Sequence, residues 1–102
     1  MSTNHPTEKA LNPPPIAAEN PDAFEVLRIW TAPGAYQQVI LRTSWEDPGA
    51  WGILLVDIAR HAARAYEREG WDRREALDRI RELFDAEWDF PTDEPLDITR
   101  DS

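Results

Sequence analysis

The chain has 102 residues, no cysteine and a formal net charge of −9. This length leaves room for one small domain, and the lack of cysteine excludes disulfides, thiolate zinc sites and cysteine nucleophiles. An acidic chain without a basic stripe argues against nucleic acid or an anionic membrane as a binding partner. The first twenty residues lack the charged-then-apolar order of a secretory signal. We therefore expect a cytoplasmic protein.

The aromatic residues predict where the chain is ordered. All ten lie between Phe24 and Phe90, and the segments on either side are rich in proline or in acids. Such segments bury too little apolar surface to offset the entropy lost on folding. We predict a disordered Pro-rich lead at 1–22, a single α+β domain at 23–90 and a disordered acidic tail at 91–102.

The domain begins with a predicted antiparallel β-hairpin. Residues 24–31 and 36–43 are rich in β-branched and aromatic residues, and Pro33-Gly34 between them suits a type II turn. So short a connection favours pairing of the two strands with each other. A bulge that sets Ile29 opposite Val39 would then give the hairpin one wholly aliphatic face.

The opposite face of the hairpin is the first candidate surface. We call it the mixed face, and it carries Arg28, Trp30, Ile40 and Arg42. Its arginines can bind a partner's carboxylates, or can simply cover apolar surface with their stems. A two-stranded hairpin is marginal alone and two helices cover only one of its faces. We therefore predict a homo-oligomer in which the mixed face or the hairpin edge meets a second copy.

Two amphipathic helices are predicted to follow. Asp47 suits an N-cap before Pro48, and Gly70 suits a left-handed stop. Asp72 and Glu75 then form a predicted capping box that starts the second helix. The apolar stripes are Trp51, Leu54, Leu55, Ile58, Ala62 and Ala65 on the first helix, and Ala76, Leu77, Ile80, Leu83, Phe84 and Trp88 on the second. The fold prediction is therefore ββαα.

A polar stripe on the first helix is the second candidate site. Asp57 and His61 are four residues apart, so they share a helix face with Arg64 and with Arg60 beside it. A carboxylate that orients an imidazole is half of a general-base arrangement, but neither a nucleophile nor further metal ligands accompany it. The favoured interpretation is a solvated charged face. Ligand binding or catalysis by Asp57, His61 and Arg64 is the alternative.

Three stretches resemble a small bacterial family that is catalogued only as a domain of unknown function. They are Asp22–Trp30, Asp47–Asp57 and Leu83–Trp88. The resemblance implies a short α+β domain that occurs alone, and it transfers no activity, cofactor or catalytic residue.

Together these features predict a small non-enzymatic domain that self-associates through its hairpin and serves as an interaction module. We predict no catalytic residue, no metal site and no cofactor. An unidentified protein is a possible partner, and the acidic segment after Pro91 could bind one that is basic.

Overall fold

The computed structural model describes residues 9–91 and the backbone of 96–97. Its elements are α1 (Ile16–Glu19), β1 (Leu27–Trp30), β2 (Gln38–Leu41), α2 (Gly49–Arg68), α3 (Arg73–Asp89) and β3 (Leu96–Asp97). The predicted order of two antiparallel strands followed by two long helices is confirmed. The predictions for residues 1–8, 92–95 and 98–102 lie outside the described part.

Two short elements were not predicted. The Pro-rich lead contains the single helical turn α1, whose side chains are all exposed. In the acidic tail, the two residues of β3 pair with β2 in parallel, so β2 is the middle strand of a three-stranded sheet. Neither element has a sequence signal of its own, because each is too short for a hydrophobic period to show.

The hairpin has the predicted register. Ile29 lies opposite Val39, and Arg28 lies opposite Ile40. The turn is closed by a hydrogen bond in which the Ala35 amide donates to the Ala32 carbonyl at 3.1 Å, with Gly34 at φ +76°. That positive φ is what the third residue of a type II turn requires, so the predicted turn is confirmed.

Helix α2 begins at Gly49, which is one residue later than an N-cap at Asp47 would place its start. The backbone of Pro48 is already helical, but the Asp47 carboxylate still accepts the Gly49 amide hydrogen at 2.8 Å. The carboxylate therefore satisfies one of the unpaired amides of the first turn, as the prediction required.

Half of the predicted capping box forms at the start of α3. The Asp72 carboxylate accepts the Glu75 amide hydrogen at 3.0 Å, and the described bonds include no return bond from the Asp72 amide to Glu75. On the charged face, Arg81 and Asp85 pair at 3.0 Å. Arg79 pairs with Glu82 at 2.6 Å. Exposed ion pairs of this kind contribute little to the free energy of unfolding.

Gly70 ends α2 with a left-handed backbone, at φ +108°. Its amide donates to the Glu67 carbonyl, and the next amide, of Trp71, donates to the Tyr66 carbonyl at 3.1 Å. The Trp71 ring then packs edge-on against Tyr66 with centroids 6.0 Å apart. The chain therefore reverses between α2 and α3 through these two backbone hydrogen bonds, which require the positive φ of Gly70.

Replacing Gly70 by Ala is expected to lower the free energy of unfolding by about 1–2 kcal/mol, because a Cβ disfavours positive φ. Gly52 is the matched control: it lies inside α2 and an added Cβ would meet nothing within 4 Å. Gly52→Ala should raise the same free energy by roughly 0.5–1 kcal/mol. Urea denaturation of both variants measures these shifts, and two shifts of the same sign would contradict the assignment.

Few side chains are fully buried in the described part of the chain. Among the described residues only Ala63 of α2 and Ala76 of α3 are buried, at 1% and 4% exposure. Leu55 and Ile58 of the first stripe, and Leu83, Phe84 and Trp88 of the second, are all exposed. The two apolar stripes therefore remain partly open to solvent in this part of the chain.

The helices do not pack closely on the sheet. No Cα atom of α2 or α3 comes within 8 Å of a Cα atom of the strands. The two parts meet instead at the connection between them, where the Trp51 indole N–H donates to the Thr43 carbonyl at 2.9 Å and Trp45 packs edge-on against Trp51.

No helix in the described part of the chain is both long enough and apolar enough to cross a bilayer.

Candidate functional site

The mixed face exists as a surface because of the strand register. Arg28 and Ile40 are direct cross-strand partners, and Trp30 is two residues along from Arg28 on the same side of β1. The Arg42 amide donates to the Val26 carbonyl at 2.9 Å, which continues the ladder and sets Arg42 on the same side as Ile40. The structure therefore brings together all four residues that the sequence assigned to this face.

Both arginines of the mixed face already have partners within the chain. The Arg28 guanidinium forms an ion pair with Glu25, and the Arg42 guanidinium lies over the Phe24 ring, 5.4 Å from its centroid. The charge of Arg28 is thus paired within the chain, whereas Arg42 contacts an aromatic ring and no carboxylate among the described residues. The feature of the face that has no partner in the described part is the apolar surface of Trp30 and Ile40, which are 37% and 44% exposed.

The sheet also has an open edge. Strand β1 pairs only with β2, while the other edge of β2 is occupied by β3. In the described part of the chain, the outer backbone groups of β1 therefore face no strand, and such an edge can pair with another chain. β1 has four residues, so an added strand would form only a short ladder.

The aliphatic face is less exposed than the mixed face, with one exception. Leu27, Val39 and Leu41 are half-buried, whereas Ile29 is 52% exposed. Three residues of this face are therefore partly covered, and Ile29 is not.

The polar stripe on α2 is solvent-exposed. Asp57, His61 and Arg64 all have exposed side chains, and none forms a hydrogen bond or ion pair with a described residue. The described residues contain no group of three or more His, Asp or Glu side chains that could hold a metal ion. The structure therefore adds no third reacting group to the Asp57–His61 pair.

A groove between the two helices was missed by the sequence reasoning. It has a volume of about 470 Å³. Its lining residues are Arg60, Ala63, Arg64, Arg73, Arg74 and Leu77. Of the predicted polar stripe, Arg60 and Arg64 line this groove, whereas Asp57 and His61 are not among its lining residues. The sequence does contain a sign of this groove in the adjacent basic residues Arg73 and Arg74 after Gly70. Only the turn between the helices brings these two residues to α2.

An apolar surface occupies the C-terminal half of α3. Phe84 and Trp88 stack with centroids 5.3 Å apart, and Trp88 is 68% exposed. Leu83 is also exposed, and the described part of the chain places nothing over these rings. Two stacked aromatic rings on a helix surface indicate a second possible contact surface for a macromolecule.

The sequence of the chain matches a protein family over most of its length. The profile of the family described as "Domain of unknown function (DUF5076)" matches residues 10–92. The chain belongs to this family. The expected membership of a family of this kind is thereby confirmed, and the DUF5076 match spans the hairpin, both long helices and the groove between them.

One solved structure is similar in sequence and in fold to this DUF5076 chain. It comes from the photosynthetic bacterium Rhodopseudomonas palustrus and is described as a "putative pyruvate dehydrogenase". The two sequences are 47% identical, the match covers 84% of this chain and 89% of that one, and the TM-score is 0.69. Comparison with curated proteins gives no match.

Proposed function

We propose that this DUF5076 chain is a non-enzymatic interaction module that forms a dimer through the mixed face of its hairpin. The observation that carries the proposal is the exposure of two large apolar side chains, Trp30 and Ile40, on one face of the hairpin. A small sheet gains stability only when its apolar faces are covered, and a second copy supplies an identical face for this purpose.

The apolar surface of the face supplies part of a dimer interface. The exposed parts of Trp30 and Ile40 amount to roughly 120–200 Å², taking about 150–250 Å² for each whole side chain. A standard interface buries ~800 Å² on each partner, of which rather more than half is apolar. Trp30 and Ile40 therefore provide the centre of such an interface, and the stems of Arg28 and Arg42 extend it.

The distribution of charge supports the hairpin as the place where two copies meet. Two chains of net charge −9 repel each other wherever their acidic surfaces approach. Residues 23–43 instead carry one acid, Glu25, and two bases, Arg28 and Arg42, for a net charge of +1. Contact through the hairpin brings together the least acidic parts of the two chains.

The described geometry favours interaction over catalysis. The Rhodopseudomonas structure is described as a pyruvate dehydrogenase, and oxidation of pyruvate depends on cofactors that a protein must hold and orient. The one candidate stripe for chemistry, Asp57 with His61 and Arg64, is exposed and makes no bond to a described residue. We therefore do not propose that activity for this chain.

Light scattering coupled to size-exclusion chromatography tests the proposed dimer. The expected mass is twice the chain mass of 11.7 kDa, or about 23 kDa. Because salt screens the repulsion between acidic chains, the dimer should dissociate less at ~0.5 M than at ~0.05 M salt. A monomeric mass at micromolar concentration in both buffers would contradict the proposal.

A further inference from the structure

We propose that the groove between α2 and α3 binds a small anion that carries two or more negative charges on oxygen atoms, as phosphate esters and polycarboxylates do. This site lies on the helices, and its existence does not depend on the proposed dimer.

The first observation is the concentration of arginine. Four of the ten arginines of an acidic chain line one groove: Arg60, Arg64, Arg73 and Arg74. Like charges that lie close together repel, as those of Arg60 and Arg64 do at a spacing of four residues on one helix. Clustering the arginines therefore costs stability unless anions neutralise them. The guanidinium group presents five donors in a planar fork that matches the oxygens of phosphate and carboxylate groups.

The second observation is that the chain neutralises the cluster only in part. Arg74 pairs with Asp78 at 3.2 Å, and Arg73 approaches Glu67 at 3.9 Å, with all four side chains more than half exposed. Arg60 and Arg64 have no ion-pair partner among the described residues. These two arginines are one helical turn apart, so their guanidinium groups can bind the same anion from one side.

The third observation is the shape and floor of the groove. Its volume of about 470 Å³ lies within the ~300–1,000 Å³ range of small-molecule sites. Ala63 and Leu77 line the groove together with the arginines, so an apolar part of a ligand has a surface to contact while its charged groups bind the guanidinium groups. A small organic anion therefore fits better than a bare ion.

Calorimetric titration of the full chain with pyrophosphate, and separately with citrate, tests this site at constant ionic strength. We expect at least one of the two to bind with a Kd of about 1 mM or tighter, and the tighter arm assigns the site to phosphate or to carboxylate chemistry. Absence of heat from both anions at ~10 mM would overturn the proposal.

A charge-matched pair of variants separates the groove from the net charge. Arg60→Gln with Arg64→Gln removes two groove arginines, and Arg68→Gln with Arg79→Gln removes two that lie outside the groove. The first pair should weaken binding by about tenfold or more, and the second by less than about twofold. Equal losses in the two pairs would overturn the proposal.

A second double variant, with lysine in place of the two arginines, tests the site even if the double glutamine variant does not fold. Arg60→Lys with Arg64→Lys preserves charge and most of each stem, but not the planar fork. It should melt like the unmodified chain and bind the anion several-fold more weakly than that chain. Unchanged affinity in this variant would contradict recognition by the guanidinium forks.

Discussion

Replacing Trp30 by Glu is expected to convert the dimer to a monomer. By the two-fold symmetry of a homodimer, one substitution removes two tryptophans from the interface and buries two carboxylates there. Central tryptophans are typical hot spots whose loss costs ~2–4 kcal/mol each, so the dissociation constant should rise by at least about a thousandfold. Light scattering at several concentrations measures this, and far-UV circular dichroism should show that α2 and α3 stay helical.

The matched control for this variant is Trp88→Glu. Trp88 is a more exposed tryptophan on α3, outside the hairpin, and the same substitution changes the net charge by the same amount. We expect this variant to remain a dimer. If Trp88→Glu becomes monomeric while Trp30→Glu stays a dimer, the contact lies on the stacked rings of α3 and the proposed interface is wrong.

Replacing Ala63 by Leu is expected to give the largest loss of stability within the chain. Ala63 is 1% exposed at the contact between α2 and α3, so a larger side chain must push the helices apart or adopt a strained rotamer. Overpacking of this kind costs about 1–3 kcal/mol. In a domain that buries so few side chains, this is a large part of the total free energy of unfolding.

Ala86→Leu is the control for the packing effect. Ala86 lies exposed on α3, so the same enlargement meets no neighbouring element and should change the free energy of unfolding by less than ~0.5 kcal/mol. Thermal or urea denaturation of both variants provides the comparison. Equal stability of Ala63→Leu and Ala86→Leu would show that the helices do not pack at Ala63.

The local features of the fold could be predicted because they depend on neighbouring residues alone. Pro33-Gly34 sets its turn by the fixed φ of proline and the free φ of glycine, and Gly70 ends α2 for a similar reason. Asp47 and Asp72 accept amide hydrogens within three residues of themselves. The register with Ile29 opposite Val39 also requires one extra residue between the turn and β2, as the predicted bulge supplies.

The extent of burial could not be predicted in the same way. A helical period shows that Ile58 and Phe84 lie on apolar stripes, but it does not show whether another element reaches them. In the structure both are exposed, while Ala63, outside the predicted stripe, is the most buried of the described residues. Small residues allow two helices to approach closely, and the two buried residues of the described part, Ala63 of α2 and Ala76 of α3, are both of this kind.

The candidate sites also differ in whether local sequence or tertiary structure determines them. The sequence by itself determined the mixed face, because alternation along two paired strands places Arg28, Trp30, Ile40 and Arg42 together. Only the tertiary structure decided that this face stays uncovered and that Arg73 and Arg74 of α3 meet α2 at a shared groove. The physical reason is that strand alternation and helical period are set by residues close along the chain, whereas coverage and clustering depend on where distant segments come to rest.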